Sequence, residues 1–278
     1  MGKKVYLFGD VHCHNYTIKK FYYNHINEKD FVPEDTVIVI LGDFGGNLAS
    51  YLPNVDPKVK QEHIKFFDDF KFFLDSLGME YFVVRGNHDQ RPSNLFNSEN
   101  WHFEQMFDGP TYVENEYPHI HYAMDYPWVY NIEGYKTLVL PGAESIDKMN
   151  RLVDEDFFGV RSWYPDEIMN KTEMDYAESL CRQNDWKFDM ILSHTCPSQF
   201  IPRDSINVSD KVTQDMENFF QRLEYQLDYK GWAWGHHHMD GIYPREDGRC
   251  NMVLYYTPVP VKDFMTNSGK INEMVTLG

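Results

Sequence analysis

Residues 36–43 read TVIVILGD, a run of β-branched and aliphatic residues that stops at a glycine and an aspartate. Such a run is typical of a buried strand, and the Gly-Asp pair indicates a turn at its carboxyl end. The stretches KVYLFGD at 4–10 and YFVVRGN at 81–87 repeat the pattern on either side of it. Helical patterns separate the three strands, so this part of the chain predicts a βαβαβ unit, whose strand ends are common ligand sites.

The second helical segment begins at Pro57 and ends near Gly78, as expected for a proline at a helix start and a glycine past its end. Its apolar residues recur at three- and four-residue steps. We expect the resulting aromatic face to pack on the sheet as part of the core, and this face contains Phe66, Phe67, Phe70 and Phe73. His63 is interpreted as a surface histidine.

The remainder of the chain predicts further strands and helices. Short β-rich segments between Phe103 and Pro141, broken by prolines and a glycine, predict antiparallel sheet. Helices are expected near 145–153, 165–182 and 210–227, and strands near 189–192, 232–234 and 251–256. We find no internal repeat, low-complexity segment or linker. Residues 1–278 are therefore interpreted as a single domain with two sheets.

Charge and composition exclude several classes of protein. The chain has 43 acidic and 26 basic residues, a formal charge of −17, which repels a phosphate backbone and argues against long nucleic acids as partners. No apolar run approaches the roughly 20 residues of a membrane-spanning helix. The four cysteines are scattered without a CxxC pair, so reduced thiols are expected. We expect a cytoplasmic protein without membrane contact.

Five segments place Asp, Asn or His directly after a predicted strand. They are Asp10-Val11-His12, Gly42-Asp43, Gly86-Asn87-His88-Asp89, Ser193-His194 and Gly235-His236-His237-His238. Residues i and i+2 of an extended segment point to one side, so the first and last segments can each direct two ligands at a common site. Oxygen ligands mixed with imidazole suit Mn, Fe, Zn, Co or Ni better than calcium. The sequence predicts a divalent metal site without selecting the ion.

These segments resemble, in order, the D-x-H, G-D, G-N-H, H and G-H-x-H motifs of the calcineurin-like metallophosphoesterase superfamily, in a bacterial or phage-type form. The resemblance implies an α/β fold, a four-layer αββα sandwich of two mixed sheets. It also implies hydrolysis of a phosphomonoester or phosphodiester by in-line attack of a hydroxide that bridges two divalent metals. We expect a small, nucleotide-sized phosphoester as substrate, and a phosphoprotein stays open.

The resemblance assigns roles to individual residues. It implies two divalent cofactor ions, the first held by Asp10, His12 and His238, the second by Asn87, His194 and His236, with Asp43 bridging both. His88 matches the catalytic histidine near the leaving group. Three arginines are candidates for binding the substrate phosphate, namely Arg85, Arg91 and Arg151.

Alternatives to this interpretation come from departures in the motifs. Residues 42–48 read GDFGGNL, where the Ser/Thr protein phosphatases of the superfamily continue GDxVDRG, so their second aspartate and their arginine are missing. Protein phosphatase-like activity is therefore an alternative rather than the first expectation. A non-catalytic metal-binding scaffold is another, although its ligands and catalytic histidine would not be expected to stay intact. A zinc hydrolase of C–N or C–O bonds has no HExxH motif to support it.

Overall fold

The structure is a computed structural model that describes residues 3–47, 50–202 and 214–266. Its strands in chain order are β1 (Lys4–Phe8), β2 (Thr36–Leu41), β3 (Ser50–Tyr51), β4 (Glu80–Val84), β5 (Trp101–Met106), β6 (Gly109–Glu114), β7 (Ile120–Ala123), β8 (Trp128–Ile132), β9 (Tyr135–Leu140), β10 (Val160–Arg161), β11 (Met190–Ser193), β12 (Gly231–Trp234), β13 (Gly241–Pro244), β14 (Cys250–Val253) and β15 (Val259–Pro260). Its helices are α1 (Tyr16–His25), α2 (Pro57–Asp75), α3 (Pro92–Leu95), α4 (Lys148–Phe158), α5 (Lys171–Gln183), α6 (Asp215–Glu224) and α7 (Val261–Thr266). The βαβαβ prediction is confirmed by β1, α1, β2, α2 and β4.

Two large mixed sheets form the centre of the fold. The first has the strand order β15-β1-β2-β4-β7-β6-β5, and the second β13-β14-β12-β11-β9-β8. In the first sheet β1, β2, β4 and β7 run parallel, and in the second β9, β11, β12 and β14 run parallel. Antiparallel strands complete both edges, which confirms the prediction of two mixed sheets.

The segment predicted as antiparallel sheet is divided between the two sheets. Strands β5, β6 and β7 form an antiparallel ladder in the first sheet, whereas β8 and β9 form a hairpin in the second. Both β7 and β9 also pair in parallel with a strand on their other side. The local pattern thus predicted the antiparallel pairs, but not that the chain changes sheets between them.

Three clusters of buried side chains define the layers. The central cluster contains residues of both sheets, among them Leu7 and Val39 of the first and Val139 and Leu192 of the second. Helices α1 and α2 cover the outer face of the first sheet through a second cluster. Helices α5 and α6 cover the outer face of the second sheet through a third. This order confirms the predicted αββα sandwich.

The helices differ from prediction mainly at their starts. Helix α5 begins at Lys171 rather than at residue 165, because Asn170 caps it and forms a reciprocal capping box with Glu173. The predicted start of α6 at residue 210 lies outside the described residues. The single-domain boundary at 1–278 stays a prediction. Among residues 3–47, 50–202 and 214–266, no helix is both long and apolar enough to span a bilayer.

Candidate metal centre

Loops that follow β1, β2, β11 and β12 bring two groups of candidate ligands together. One group consists of Asp10, His12, Asp43 and His238, and the other of Asp43, His194 and His236. Within each group the ligand atoms lie within 4.8 Å of one another. Asp43 is common to both groups, so its carboxylate lies where it could contact two ions.

The first group converges on a buried carboxylate. The two Nε2 atoms of His12 and His238 are 2.9 Å apart, and the Nε2 of His238 lies 3.2 Å from the Oδ2 of Asp10. That oxygen is buried and accepts no hydrogen bond from a described residue. Because a buried carboxylate oxygen without a donor is costly, the facing imidazole nitrogens and this oxygen fit a bound cation.

The second group is oriented by the backbone of β2. The Nδ1 of His194 donates to the carbonyl oxygen of Leu41 at 2.7 Å, so its Nε2 lone pair points into the cluster. That Nε2 lies 3.1 Å from the Oδ1 of Asp43 and 2.9 Å from the Oδ1 of Asn87. The ring of His236 packs edge-on against His194 at 4.9 Å. The seven predicted ligands therefore meet at one edge of the sandwich.

Asn87 is held by two residues that sequence reasoning missed. Its Nδ2 donates to the Oγ of Ser145 at 3.1 Å, which turns the Oδ1 toward His194. Ser145 in turn donates through its hydroxyl and its backbone N–H to the carboxylate of Glu167. Both partners lie in loops far along the chain, and the sequence did not show that either of them supports Asn87.

Backbone strain is concentrated at the candidate ligands. Four of them have φ in the left-handed region: His12 (48°), Asp43 (49°), His236 (69°) and His238 (49°). Non-glycine residues adopt this conformation at a cost of about 1–3 kcal/mol each, and such residues cluster at functional sites. The fold therefore accepts strain where it directs these side chains inward.

Two glycines allow the carboxylates to approach the neighbouring loops. A Cβ atom at Gly86 would lie 2.2 Å from the Oδ1 of Asp43, and one at Gly235 would lie 2.2 Å from the Oδ1 of Asp10. Neither position has room for any side chain. The glycines of the G-N-H and G-H-x-H segments are thus explained by close approach rather than by a turn.

Both carboxylates are ionised. Burial opposes this, but the neighbouring imidazoles of His12, His238 and His194 outweigh it and lower the pKa of Asp10 to about 2. The pKa of Asp43 likewise lies well below its usual value, since the neighbouring histidines outweigh burial. Ionised carboxylates are the form that binds metals.

His88 and Arg151 lie together beside the shared carboxylate. The Nε2 of His88 is 3.9 Å from the Oδ2 of Asp43 and contacts the guanidinium of Arg151. Arg151 also donates to the carbonyl of Asn87 at 3.3 Å and to Asp147 at 2.9 Å. An arginine only donates hydrogen bonds, so the Nε2 of His88 accepts and its ring is neutral. Burial, aided by Arg151, lowers the pKa of His88 to about 4 despite Asp43.

The other two candidate arginines do not reach the site. Arg85 is 2% exposed and donates to the carbonyl of Glu167 at 2.6 Å. Arg91 pairs with the carboxylate of Glu173 and donates to the carbonyl of Ile168. Both guanidinium groups hold the loop before α5, which corrects the prediction that they contact substrate. Their positions beside the G-N-H segment did not reveal the direction of their side chains.

The prediction that Phe66 belongs to the core is wrong. Phe70, one turn further along α2, is buried, whereas Phe66 is 51% exposed. Phe66 and His63 instead line a cavity beside His12 and His88. The helical period correctly predicted which side of α2 is apolar, but not that Phe66 on this side stays half exposed.

The fold and the cluster together define a class of protein, the metal-dependent phosphoesterases. A family model described as calcineurin-like phosphoesterase matches residues 3–240. The chain belongs to the calcineurin-like phosphoesterase family, which confirms the resemblance carried by the five motifs.

Two solved structures resemble this chain at low sequence identity. A dimetal phosphatase from Danio rerio is similar with a TM-score of 0.51 and 14% identity, covering 91% of this chain and 87% of that one. A candidate 5′-nucleotidase from Staphylococcus aureus, in complex with alpha-ketoglutarate, has a TM-score of 0.42 and 12% identity and covers 90% of this chain and 48% of that one. No curated protein matches the chain. At such identities the likeness concerns the fold alone.

Proposed function

We propose that this protein hydrolyses a nucleotide-sized phosphomonoester or phosphodiester with the help of two divalent metal ions. The observation that supports it most is the carboxylate of Asp43, which belongs to both groups of candidate ligands. A carboxylate shared in this way is what a pair of ions about 3.5–4 Å apart requires.

The proposed ligand set follows the two groups. Asp10, His12 and His238 would hold one ion, Asn87, His194 and His236 would hold the other, and the carboxylate of Asp43 would serve both. When bound, Mn, Fe, Zn, Co or Ni ions supply Lewis acidity that lowers the pKa of water and neutralises charge on the phosphoryl oxygens. With a net charge of −17, the chain needs positive charge at this edge before an anionic ester can bind. The same charge disfavours long nucleic acids.

His88 and Arg151 are the proposed contacts to the substrate. In the reaction an oxygen from water bonds to phosphorus, the ester P–O bond breaks, and the departing alkoxide takes up a proton. The side chain of His88 is 24% exposed at the edge of the cluster, where it can stabilise or protonate that alkoxide. Its Nε2 accepts from Arg151 in this structure, so phosphoryl oxygens have to take over the guanidinium first. The Nε2 then has to take up the proton that the attacking water loses before it can pass a proton to the alkoxide.

The proposal includes a cytoplasmic location and leaves phosphoproteins as a second substrate class. All four cysteines are buried and without disulfides, which supports a reducing compartment.

Hydrolysis of p-nitrophenyl phosphate and bis-p-nitrophenyl phosphate tests the proposal. Metal-stripped protein is reconstituted with Mn²⁺, and metal content is measured beside turnover. Asp43→Asn is expected to lose both ions and nearly all activity, because both groups lose the negative charge of their shared carboxylate. His88→Ala is expected to keep its metal and lose about 10²–10⁴-fold in turnover. His102→Ala, a histidine with a half-exposed side chain away from the cluster, is the matched control.

The outcomes separate the alternatives. Preference for the diester indicates a nucleotide phosphodiesterase, and preference for the monoester indicates a phosphatase. Stoichiometric metal binding without hydrolysis of either ester supports the scaffold alternative and contradicts the proposal. Full activity of His88→Ala contradicts the role of His88 while leaving the metal centre intact.

A further inference from the structure

A cavity of about 240 Å³ lies directly beside the metal centre. It is lined by His12 and His88 of the candidate site, by three rings on α2, and by Cys13 and Gly45. The three rings are His63, Phe66 and Phe67. His88 lines this cavity and is also the proposed partner of the leaving alkoxide. A group bound in the cavity would therefore belong to the alcohol part of the ester, which is joined to phosphorus through the ester oxygen.

The wall on α2 is aromatic and uncharged. Phe66 and Phe67 pack edge to face at 5.5 Å, and Phe67 meets His63 in the same way at 6.3 Å. Among the described lining residues, none carries a carboxylate, an ammonium group or a guanidinium. A second phosphate or a carboxylate would therefore find no charged partner here, whereas a flat ring could stack on these side chains.

One ring of this aromatic wall also carries a polar atom without a partner. The Nδ1 of His63 is buried and forms no hydrogen bond with a described residue. A buried nitrogen without a partner is costly, so a rotation of the His63 ring that brings Nδ1 to a donor or an acceptor of a ligand in the cavity would relieve it. The edge of a nucleobase offers such atoms, and a plain phenyl ring does not.

The volume limits the size of the group. Pockets for drug-sized molecules occupy about 300–1,000 Å³, while an apolar cavity of about 150 Å³ already admits benzene. A cavity of about 240 Å³ thus fits one ring system.

We propose that this cavity is a specificity site for a planar aromatic ring, foremost a nucleobase, on the alcohol side of the phosphoester. This inference rests on the proposed function and names the substrate class for that site. Phe66 supplies the stacking surface, and His63 reads a polar edge of the ring.

Paired substrates with the same leaving alkoxide test it. Adenosine 5′-monophosphate and ribose 5-phosphate both release a 5′-hydroxyl and differ in the base, and their methyl esters serve if the enzyme prefers diesters. We expect kcat/KM to favour the adenosine compound at least about fivefold, the lower end of what stacking on an aromatic side chain supplies. Phe66→Leu should lower kcat/KM for the adenosine compound more than for the ribose compound. Phe72→Leu, which removes a 70% exposed ring elsewhere on α2, should lower neither.

Two further comparisons distinguish a nucleobase from an aromatic ring without polar atoms. Benzyl phosphate against cyclohexylmethyl phosphate tests the aromatic surface without a polar edge. His63→Phe keeps a ring and removes the nitrogen, so it should weaken the preference for the adenosine compound and leave the preference for benzyl phosphate. If benzyl phosphate is preferred and the adenosine compound is not, the nucleobase assignment is overturned.

A binding measurement separates this inference from the proposed function. Calorimetric titration of Mn²⁺-loaded protein with benzylphosphonate and methylphosphonate needs no turnover. Tighter binding of benzylphosphonate that is lost in Phe66→Leu and kept in Phe72→Leu supports the cavity even if no ester is hydrolysed. Equal affinity for the two phosphonates, or equal kcat/KM within each substrate pair, overturns the inference about the cavity. Metal-dependent hydrolysis of p-nitrophenyl esters would still support the proposed function in that case.

Discussion

Replacing Gly86 by alanine is expected to empty the metal centre without unfolding the protein. The added Cβ atom would lie 2.2 Å from the Oδ1 of Asp43 and 2.3 Å from the backbone nitrogen of Asp43. To reach ordinary contact at 3.4 Å, that backbone nitrogen would have to move by about 1.1 Å. Metal–ligand distances tolerate only about 0.2 Å. Since both groups of ligands share this carboxylate, both ions should be lost together.

The substitution should also destabilise the fold, because the Cβ atom would meet the backbone of Asp43 as well as its side chain. Overpacking of this kind destabilises by about 1–3 kcal/mol, which lowers the melting temperature by several degrees but does not abolish folding. The φ of Gly86 is not in the left-handed region, so backbone strain does not contribute.

Metal content after equilibrium dialysis, measured by plasma mass spectrometry beside thermal unfolding of the metal-free protein, checks this reasoning. Gly86→Ala should hold no more Mn²⁺ than Asp43→Asn and bind it at least about 10–100-fold more weakly than the wild type. Gly241→Ala is the control, because the nearest recorded contacts of its Cβ are all with side-chain atoms, the closest a methyl carbon of Val253 at 3.2 Å. A folded Gly86→Ala protein with two tightly bound ions would refute the close approach of Asp43 to this loop.

Three further predictions test other parts of the site and the core. Ser145→Ala should weaken Mn²⁺ binding about 10–100-fold, because Asn87 loses the hydrogen bond that turns its oxygen inward. The control Ser76→Ala, at the end of α2, should leave Mn²⁺ binding unchanged. Equal Mn²⁺ affinities of the two variants in competition with a chelator would argue against a role of Ser145 in orienting Asn87. Arg151→Lys keeps the positive charge but loses the planar guanidinium group, which can donate two hydrogen bonds to a phosphate. The kcat/KM for the preferred p-nitrophenyl ester should therefore fall on the order of 10²-fold, with metal content unchanged. Unchanged kinetics would show that Arg151 does not contact the substrate. Burial raises the pKa of Glu217, so the folded state holds this proton more tightly than the unfolded state, and stability is lost as the pH rises above the unfolded-state value. Glu217→Gln should therefore stabilise the protein against urea at pH 7.5 but not near pH 4, and the opposite pH trend would contradict the sign.

The strands and the order of the motifs were predictable because they depend on neighbours in sequence. Residues 36–41 form a strand with the predicted bounds, since a continuous β-branched run has few other ways to be buried. Helix α2 begins at Pro57 as predicted, with the side chain of Asp56 accepting from the backbone N–H of Lys58. The candidate ligands follow strand ends, and parallel strands bring their ends to one edge, so their meeting followed from the topology.

The errors arose where direction rather than position mattered. Arg85 adjoins the G-N-H segment, yet its guanidinium points into the protein and binds a carbonyl of the loop before α5. Phe66 shares the helical period of Phe70, yet only Phe70 lies over the sheet. A period identifies a face of a helix, while the extent of the neighbouring sheet decides which part of that face is covered.

The sequence by itself determined the family, the layered fold and the set of side chains at the candidate metal centre, because each follows from a local pattern or from the order of short motifs. The tertiary structure alone decided which groups support and surround that centre. Ser145 orients Asn87 across 58 positions of sequence, and Arg151 meets His88 across 63. Phe66 and His88 line the same cavity only because the fold places α2 beside the G-N-H loop. Such contacts depend on how separate elements pack against each other. No periodic pattern in the sequence predicts that packing.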